Sequence, residues 1–279
     1  MCSINNNFWA DPPWGDGNRK YQLGLSPIEN ERWLNRKPDK ELINYKKNLL
    51  DKNYTDVIAV TDDSLDAQIY LGEVFGITDS KYPDLIAELS LNIQDDLCLL
   101  ESKNDQRLIA ASICSPSYWD VKKKIGKPLK QIHQPVKSLE EKVGDRIEKF
   151  ISQAPFMKPF ARQNWLIHGD TKRFYLAEEK ELMSHPSEWF IRSEKETLCR
   201  FHEDYSLFTI NVMFQPLKYI HQFHDKKTAL IKSLEFMDED ESKYFGGAKK
   251  IKSLLEYLHT CLLYTSPSPR DVEESRMPS

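Results

Sequence analysis

The chain has few cysteines and glycines, and they do not form the motifs that commonly bind metals or nucleotides. Its 279 residues include 5 cysteines, at positions 2, 98, 114, 199 and 261, and no two of them form a Cys-x-x-Cys pair. This scatter argues against a zinc site, an iron–sulfur cluster and a disulfide framework, and it favours reduced thiols. The 10 glycines form neither a GxGxxG loop nor a Walker A motif. We therefore expect no nucleotide to be bound within this chain.

Long apolar runs and a strong charge of one sign are also missing. No stretch approaches the roughly 18 consecutive apolar residues of a membrane helix, and the N-terminal residues lack the basic and apolar blocks of a signal peptide. The net charge of −4 gives no general attraction to nucleic acids or anionic membranes. The absence of HExxH and GxSxG argues against a zinc protease and a standard serine hydrolase. We expect a protein of the cytosol or of an organelle matrix.

The last residues, 261–279, are not expected to belong to the natural protein. Cys261–Asp271 resembles one translated frame of a transposase-type sequencing adapter, and Glu274–Ser279 resembles its continuation. Because the two matches occur in a consistent order, we favour this interpretation over a natural, flexible Ser/Pro-rich tail. We therefore assign residues 1–260 to a single domain with a core of about residues 20–220, and expect the natural C-terminus to be truncated near Thr260.

The apolar pattern predicts an α+β fold. Strands are predicted over residues 56–60, 96–101, 107–114, 163–167, 173–176, 188–201 and 205–214. Most of these strands are joined by links of hairpin length, which favours a mainly antiparallel sheet with flanking helices and with helical additions at both ends. Helices are predicted from Ser26, from Asp39, over 64–75 with Leu65, Ile69 and Val74 buried, over 138–153, and near 230–236 and 251–258.

One segment, residues 116–136, places a histidine between prolines that restrict its backbone. His133 lies between Pro128 and Pro135, with Trp119 before it and Trp165 after it. A histidine held in this way is a packed core residue, an acid–base group or a metal ligand, and the residues alone favour the first of these roles. The lysines at 122, 123, 124, 127 and 130 are typical of a solvated loop or a contact with an acidic partner.

Two other pairs of residues have structural interpretations that the residues alone favour. Arg162 and Arg192 lie near predicted strands, where buried arginines usually pair with carboxylates. His221 and His224 are three residues apart on a predicted helix, a spacing that a metal ion can use. Because no acidic third ligand accompanies them, two surface histidines are the favoured interpretation.

An ordered set of short blocks resembles the haem-dependent oxidative N-demethylase α-subunit-like family. Each block is weak by itself, but their order over about residues 20–220 is specific. The blocks are Leu23–Ile28, Trp33–Leu34, Ile93–Leu100, Pro116–Trp119, Lys124–Gly126, Pro128–Leu129, Ile132–Val136, Arg162–Trp165, Arg192–Glu194, Thr197–Leu198 and Leu207–Ile210.

This resemblance implies a haem b-binding, PAS-like fold, an antiparallel sheet surrounded by helices. It also implies an O2-dependent removal of a methyl group from a small secondary amine such as dimethylamine, with release of formaldehyde. The electrons would come from NADPH through a separate reductase that carries FMN and a 2Fe–2S cluster. This chain has neither the cysteine spacing nor the phosphate-binding loop to hold those groups itself.

The resemblance also implies roles for particular residues. His133 would be the proximal ligand of the haem iron, with its second ring nitrogen bound to an acceptor that orients the ring. Arg192 would polarise bound O2, and Glu194 would hold the protonated amine. The remaining candidates, proposed to contact the haem propionates or to wall the pocket, are Lys124, Lys127, Arg162 and Trp165.

Some positions depart from the family pattern, and other functions remain open. Lys137, Lys195, Glu196, His202 and Asn211 stand where the family has other residues. The alternative function is a non-enzymatic haem sensor or binding module that reports O2, NO or redox state. A third interpretation has no haem, with His133 structural and the domain used for interactions.

Overall fold

A computed structural model describes residues 4–20, 23–34, 37, 39–133, 145–177, 182 and 184–260. In this part of the chain one open sheet contains seven strands in the order β1-β5-β6-β7-β3-β4-β2, and each neighbouring pair is antiparallel. The strands are β1 (Ser26–Pro27), β2 (Ile58–Val60), β3 (Asp96–Glu101), β4 (Leu108–Ser112), β5 (Phe160–His168), β6 (Phe190–Arg200) and β7 (Tyr205–Pro216).

Helices lie on both faces of this sheet and at both ends of the chain. They are α1 (Asn6–Ala10), α2 (Lys40–Val57), α3 (Leu65–Phe75), α4 (Leu85–Ser90), α5 (Leu129–His133), α6 (Asp145–Gln153), α7 (His224–Glu235), α8 (Glu239–Tyr244) and α9 (Ala248–Thr260). The predicted α+β fold with an antiparallel sheet is therefore confirmed. Among the described residues, no helix has the length and apolar character needed to cross a bilayer.

The sheet has two chemically different faces, which strand alternation separates. Successive side chains of a strand point to opposite faces, and directly paired residues share a face. Arg192, Glu194 and Glu196 of β6 therefore lie on one face, here called the Arg192 face. Trp165 of β5 pairs with Ser193 and lies on the other, here called the Trp165 face.

Two apolar clusters cover the Trp165 face. Helices α2, α3 and α4 pack on β3 and β4, with buried side chains such as Leu50, Leu71 and Leu97. The N-terminal helix α1 and the C-terminal helices α7 and α9 pack around Trp165 and Ile191. Burial of this apolar area from both chain ends is the main stabilising contribution that holds the terminal helices on the sheet.

On the Arg192 face, α5 and α6 cover one end of the sheet. Leu129 of α5 and Ile151 of α6 belong to the same apolar cluster as Leu198 of β6. The rings of Phe150 and Phe160 meet edge to face at 4.8 Å between centroids, which fixes α6 against β5. The helix that ends at His133 therefore lies on the same face as Arg192.

Two predicted elements are wrong. Ser26 and Pro27 do not begin a helix but pair with Ala161 and Phe160 as a short edge strand, and Pro27 is tolerated there because an edge residue needs no ladder N–H. The predicted strand 173–176 is absent, since in the described chain only Tyr175 forms an isolated bridge, to Ser117. The predicted start of the helix over 138–153 lies outside the described residues, and α6 occupies its second half.

Helix α3 has the predicted bounds but the opposite buried side. Leu65 and Ile69 are 62% and 45% exposed, while Ala67, Gln68 and Leu71 are buried. The buried amide of Gln68 donates to Ser64 Oγ, and its oxygen accepts from the backbone N–H of Ile86. The small Ala67 and the hydrogen-bonded amide of Gln68 allow α4 to approach α3 closely. The pattern of hydrophobic residues did not predict this contact.

Candidate functional site

A row of charged side chains runs along β6 on the Arg192 face. Arg192, Glu194 and Glu196 occupy alternate positions, so all three point to the same side of the sheet. The neighbouring positions of β7 are apolar, and the register sets them directly beside the charged row; they are Ile210, Val212 and Phe214. The face thus combines a charged strip with an apolar strip.

Arg192 is a buried cation with unused donors. It is 1% exposed, and its Nη2 donates to Ser115 O at 2.7 Å and lies 2.8 Å from Glu194 Oε1. The guanidinium carbon lies 5.9 Å from the ring centroid of Phe214. Its Nε and Nη1 have no hydrogen-bond partner among the described residues. A buried donor without a partner costs free energy, so these atoms indicate that an acceptor belongs beside them.

A buried carboxylate holds the segment that contacts Arg192. The two oxygens of Asp96 accept from the backbone N–H groups of Cys114 and Ser115, at 2.9 and 2.8 Å. Burial raises the pKa of Asp96, while Lys46, the two backbone donors and Arg192 oppose that rise. Because Asp96 begins β3, the position of the Ser115 carbonyl is set by the sheet itself.

Glu194 and Glu196 are each held by β5. Glu194 Oε2 accepts from Asn164 Nδ2 at 2.8 Å, and Asn164 Oδ1 accepts from Lys20 Nζ at 2.6 Å. Arg162 Nε lies 3.2 Å from Glu196 Oε2. Burial raises the pKa of Glu196, and the neighbouring Arg162 counteracts this effect.

His168 is a site residue that the sequence analysis missed. It is 1% exposed, and its Nε2 lies 3.1 Å from Ser117 Oγ, while its Nδ1 has no partner among the described residues. Burial lowers the pKa of His168 to about 3, and the nearby Arg192 and Lys250 add to this effect. Strand alternation could have indicated it, because His168 lies two residues after Leu166, the partner of Arg192, and so shares the face of Arg192.

Arg173 is a second missed residue. Its Nη1 donates to Val212 O at 3.0 Å, and its guanidinium carbon lies 5.5 Å from the Phe214 centroid. Burial lowers the pKa of Arg173, and Asp96 opposes this change. Two guanidinium groups therefore contact one aromatic ring. Residues 173–176 were predicted as a strand, and no sequence pattern indicated that Arg173 reaches this face.

The predicted lysines lie beside α5. Lys124 Nζ donates to Ile132 O at 3.2 Å, and burial together with Lys127 lowers the pKa of Lys124. Lys127 is exposed. His133 is the last residue of α5, and its imidazole lies outside the part that the structure describes. Lys124 thus supports the carbonyl that immediately precedes His133.

Trp165 does not lie with the other predicted site residues. It is 1% exposed on the Trp165 face and meets Trp14 and Phe245 edge to face at 5.8 and 5.3 Å between centroids. The structure therefore brings Arg192, Glu194 and Arg162 to one face with the helix of His133, and it places the Trp165 ring in the opposite core.

The departures from the family pattern also divide between the two faces. Asn211 and Lys195 are paired on the Trp165 face, where Asn211 Nδ2 donates to Asp95 Oδ1 at 2.7 Å and Lys195 Nζ donates to Arg32 O at 2.9 Å. Glu196 lies in the charged row. His202 stacks on Tyr70 at 4.2 Å between centroids. Lys137 lies outside the described residues.

In the described ranges no group of three or more His, Cys, Asp or Glu side chains is arranged to hold a metal ion. The fold and the site define a class of protein: an α+β protein whose antiparallel sheet carries a buried charged row beside apolar side chains. A short helix that ends in a histidine packs at one end of the same face.

Residues 33–255 match the family described as "Haem-dependent oxidative N-demethylase, alpha subunit-like". The chain belongs to this family, which confirms the resemblance found in the sequence. The family description associates the chain with haem-dependent oxidative N-demethylase-like chemistry and with the alpha subunit of a multi-component system. No curated protein matches the chain.

Proposed function

We propose that this chain is the haem b-binding subunit of an oxidative demethylase that removes a methyl group from a small secondary amine and releases formaldehyde. A separate NADPH-dependent reductase with FMN and a 2Fe–2S cluster would supply the electrons. The observation that carries this proposal is Arg192, a buried guanidinium with two unused donors on the face that the His133 helix covers. Membership of the family supplies the chemical context.

The residues of the Arg192 face fit a haem group. A haem that binds O2 needs apolar contacts for its ring, and hydrogen-bond donors near the iron suit the bound oxygen. Phe208, Ile210 and Phe214 of β7 are half-buried on this face, and Arg192 offers the orphaned donors. In a PAS-like arrangement both sets of residues would hold the haem on this face, and His133 at the end of α5 would ligate its iron.

Other basic residues have narrower proposed roles. Arg162, which is paired with Glu196, and the exposed Lys127 would contact the haem carboxylates. Lys124 would act on the haem through His133, because its ammonium already supports the Ile132 carbonyl at the end of α5.

Haem, when bound, supplies O2 binding and reduction. The chain's own residues would prepare the place for that chemistry. The fixed positive charge of Arg192 would stabilise negative charge that develops on oxygen, because it is buried and already oriented by Glu194 and the Ser115 carbonyl. The Glu194 carboxylate would hold the protonated amine, and Phe214 would exclude water.

Haem reconstitution of the purified protein tests the proposal in two stages. A Soret band that is lost in His133→Ala and retained in His202→Ala supports ligation by His133, because His202 stacks on Tyr70. Absence of a Soret band after reconstitution of the unchanged protein contradicts every haem function.

The second stage measures formaldehyde released from dimethylamine with a surrogate electron donor. Release that depends on haem, O2 and the donor supports the demethylase. A haem protein that binds O2 but releases no formaldehyde from any small methylated amine would instead be a sensor. Loss of release in Arg192→Lys at unchanged Soret absorbance would support the role of the guanidinium in the reaction.

A further inference from the structure

A small polar cavity lies at the edge of the sheet, between the N-terminal segment and β5. Its volume is about 190 Å³. Its lining includes three basic side chains, one acidic side chain and two indole rings, from Arg19, Lys20, Arg162, Asp11, Trp14 and Trp165. We call it the Lys20 cavity. Cations are in excess along its wall, so the cavity favours a ligand of negative charge.

Lys20 is the most deeply placed of these cations. It is 8% exposed, its Nζ lies 5.2 Å from the Trp165 ring centroid, and it donates to the neutral amide oxygen of Asn164. Burial lowers the pKa of Lys20 to about 7; Arg162 and Lys250 strengthen this effect, and Glu194 and Glu196 oppose it. An anion placed beside the ammonium would oppose this lowering and favour the charged form of Lys20.

Arg162 provides a second group at the same wall. Its Nε lies near Glu196 but in a geometry that leaves this buried atom without a hydrogen bond among the described residues. A buried ammonium with depressed basicity and a buried guanidinium N–H without an acceptor line one cavity of suitable size for a few heavy atoms. Both would gain from the same kind of ligand, an oxygen anion.

We propose that the Lys20 cavity binds a small oxyanion, a carboxylate or a phosphate, between the Lys20 ammonium and the Arg162 guanidinium. This site is distinct from the proposed amine position at Glu194, but it is connected to it. Lys20 contacts Asn164, Asn164 contacts Glu194, and Glu194 contacts Arg192. Occupancy would stabilise the charged form of Lys20 and thereby strengthen the polar chain that ends at Arg192.

Titration with acetate and with inorganic phosphate at constant ionic strength tests the proposal, with the fluorescence of the indoles and calorimetry as readouts. Saturable binding is expected, and Lys20→Met should weaken it by about tenfold or more. Lys47→Met, at an exposed position of α2, should leave it unchanged. The anion that binds more tightly shows whether the natural ligand is a carboxylate or a phosphate. Equal, non-saturating effects of both anions in all variants would overturn the proposal.

Proton uptake on binding distinguishes a lysine that contacts the anion from one with a purely structural role. At about one pH unit above the pKa of Lys20, binding should draw a proton from the buffer, so the heat of binding should depend on the buffer. Lys20→Arg should keep the affinity but lose the proton uptake, because arginine stays charged. If Lys20→Met does not fold, the Lys20→Arg variant alone tests the role of Lys20. Undiminished proton uptake in Lys20→Arg would contradict the assignment to Lys20.

The same titration on haem-free and haem-loaded protein separates this site from the proposed haem contacts of Arg162. Equal affinity in both forms supports a separate oxyanion site. Loss of binding on haem loading would show that the cavity accommodates a haem carboxylate, and it would overturn the inference while leaving the proposed function intact.

Discussion

Arg192 and Glu194 are two residues apart on β6 and form an ion pair of 2.8 Å on the same face of the sheet. Their side chains are 1% and 10% exposed, so water screens the pair weakly. Neither group has only the other as a partner: Arg192 donates to the Ser115 carbonyl, and Glu194 accepts from Asn164. Removal of either charge therefore leaves the other in a site built for a pair.

Glu194→Gln is expected to lower the free energy of unfolding by about 3 kcal/mol, because it leaves the buried Arg192 without a countercharge. Chemical denaturation measures this loss. The double variant Arg192→Leu with Glu194→Leu should recover much of it, because no buried charge remains. If the single variant loses less than about 0.5 kcal/mol, a solvated Arg192 would be indicated instead.

His168 should make the stability of the protein depend on pH. Its pKa is near 3 in the folded protein and ordinary in the unfolded chain, so below about pH 6.5 the unfolded state binds a proton that the folded state does not. The stabilising effect is complete above pH 6.5 and is lost as the pH falls toward 3, at up to about 1.4 kcal/mol per pH unit. In His168→Gln, denaturation at several pH values should show a shallower loss, whereas His185→Gln, at an exposed position, should keep the original slope. An unchanged slope in His168→Gln would contradict the buried neutral histidine.

Lys124→Met is expected to weaken haem binding without abolishing it. The ammonium of Lys124 donates to Ile132 O, one residue before His133, so its loss should allow the end of α5 to move. Titration with haem should show an affinity lower by about fivefold to tenfold, the value of one charge-assisted hydrogen bond. Lys123→Met, at the adjacent exposed position, serves as the control. Equal affinities for both variants would argue against this positioning role.

Gly72→Ala should destabilise the protein, although alanine normally stabilises a helix interior relative to glycine. A Cβ at Gly72 would lie 2.5 Å from the backbone oxygen of Ile77 and 3.0 Å from Leu85 Cδ2. The backbone contact cannot relax without moving the end of α3, so a loss of about 1–3 kcal/mol is expected. Thermal or chemical denaturation measures it, and Glu73→Ala on the exposed side of the same helix should remain within about 0.5 kcal/mol of the parent. A more stable Gly72→Ala would show that α3 and its following turn adapt.

The sequence predicted the central strands well because their signals are local. The β3–β4 hairpin and the long strands β6 and β7 alternate strongly and are bounded by turns, and the structure contains all of them. The family resemblance was confirmed by the family match over residues 33–255. Prediction was poorer where long-range contacts decide: the short strand β1 exists because it pairs with β5, and α3 is oriented by the amide of Gln68.

The positions of some candidate site residues followed from local strand patterns, while their roles stay predictions. Arg162 belongs to one family-like block, Arg192 and Glu194 belong to another, and the strand register brings all three to one face. His168 and Arg173 belong to no such block, and their roles depend on distant partners, Ser117 and Val212. Trp165 was assigned to the pocket from its position in the sequence, but one residue of strand alternation places its ring in the opposite core.

Lys46 connects these two sides of the sheet. It belongs to α2 and is fully buried, and its Nζ donates to three backbone oxygens, those of Ser90, Ile93 and Asp95. The last of these immediately precedes Asp96, which fixes the Ser115 carbonyl that Arg192 contacts. A disturbance of α2 therefore has a covalent and hydrogen-bonded route to Arg192, although α2 packs on the other face. Inherited variation in that helix can therefore shift the Arg192 guanidinium on the opposite face of the sheet.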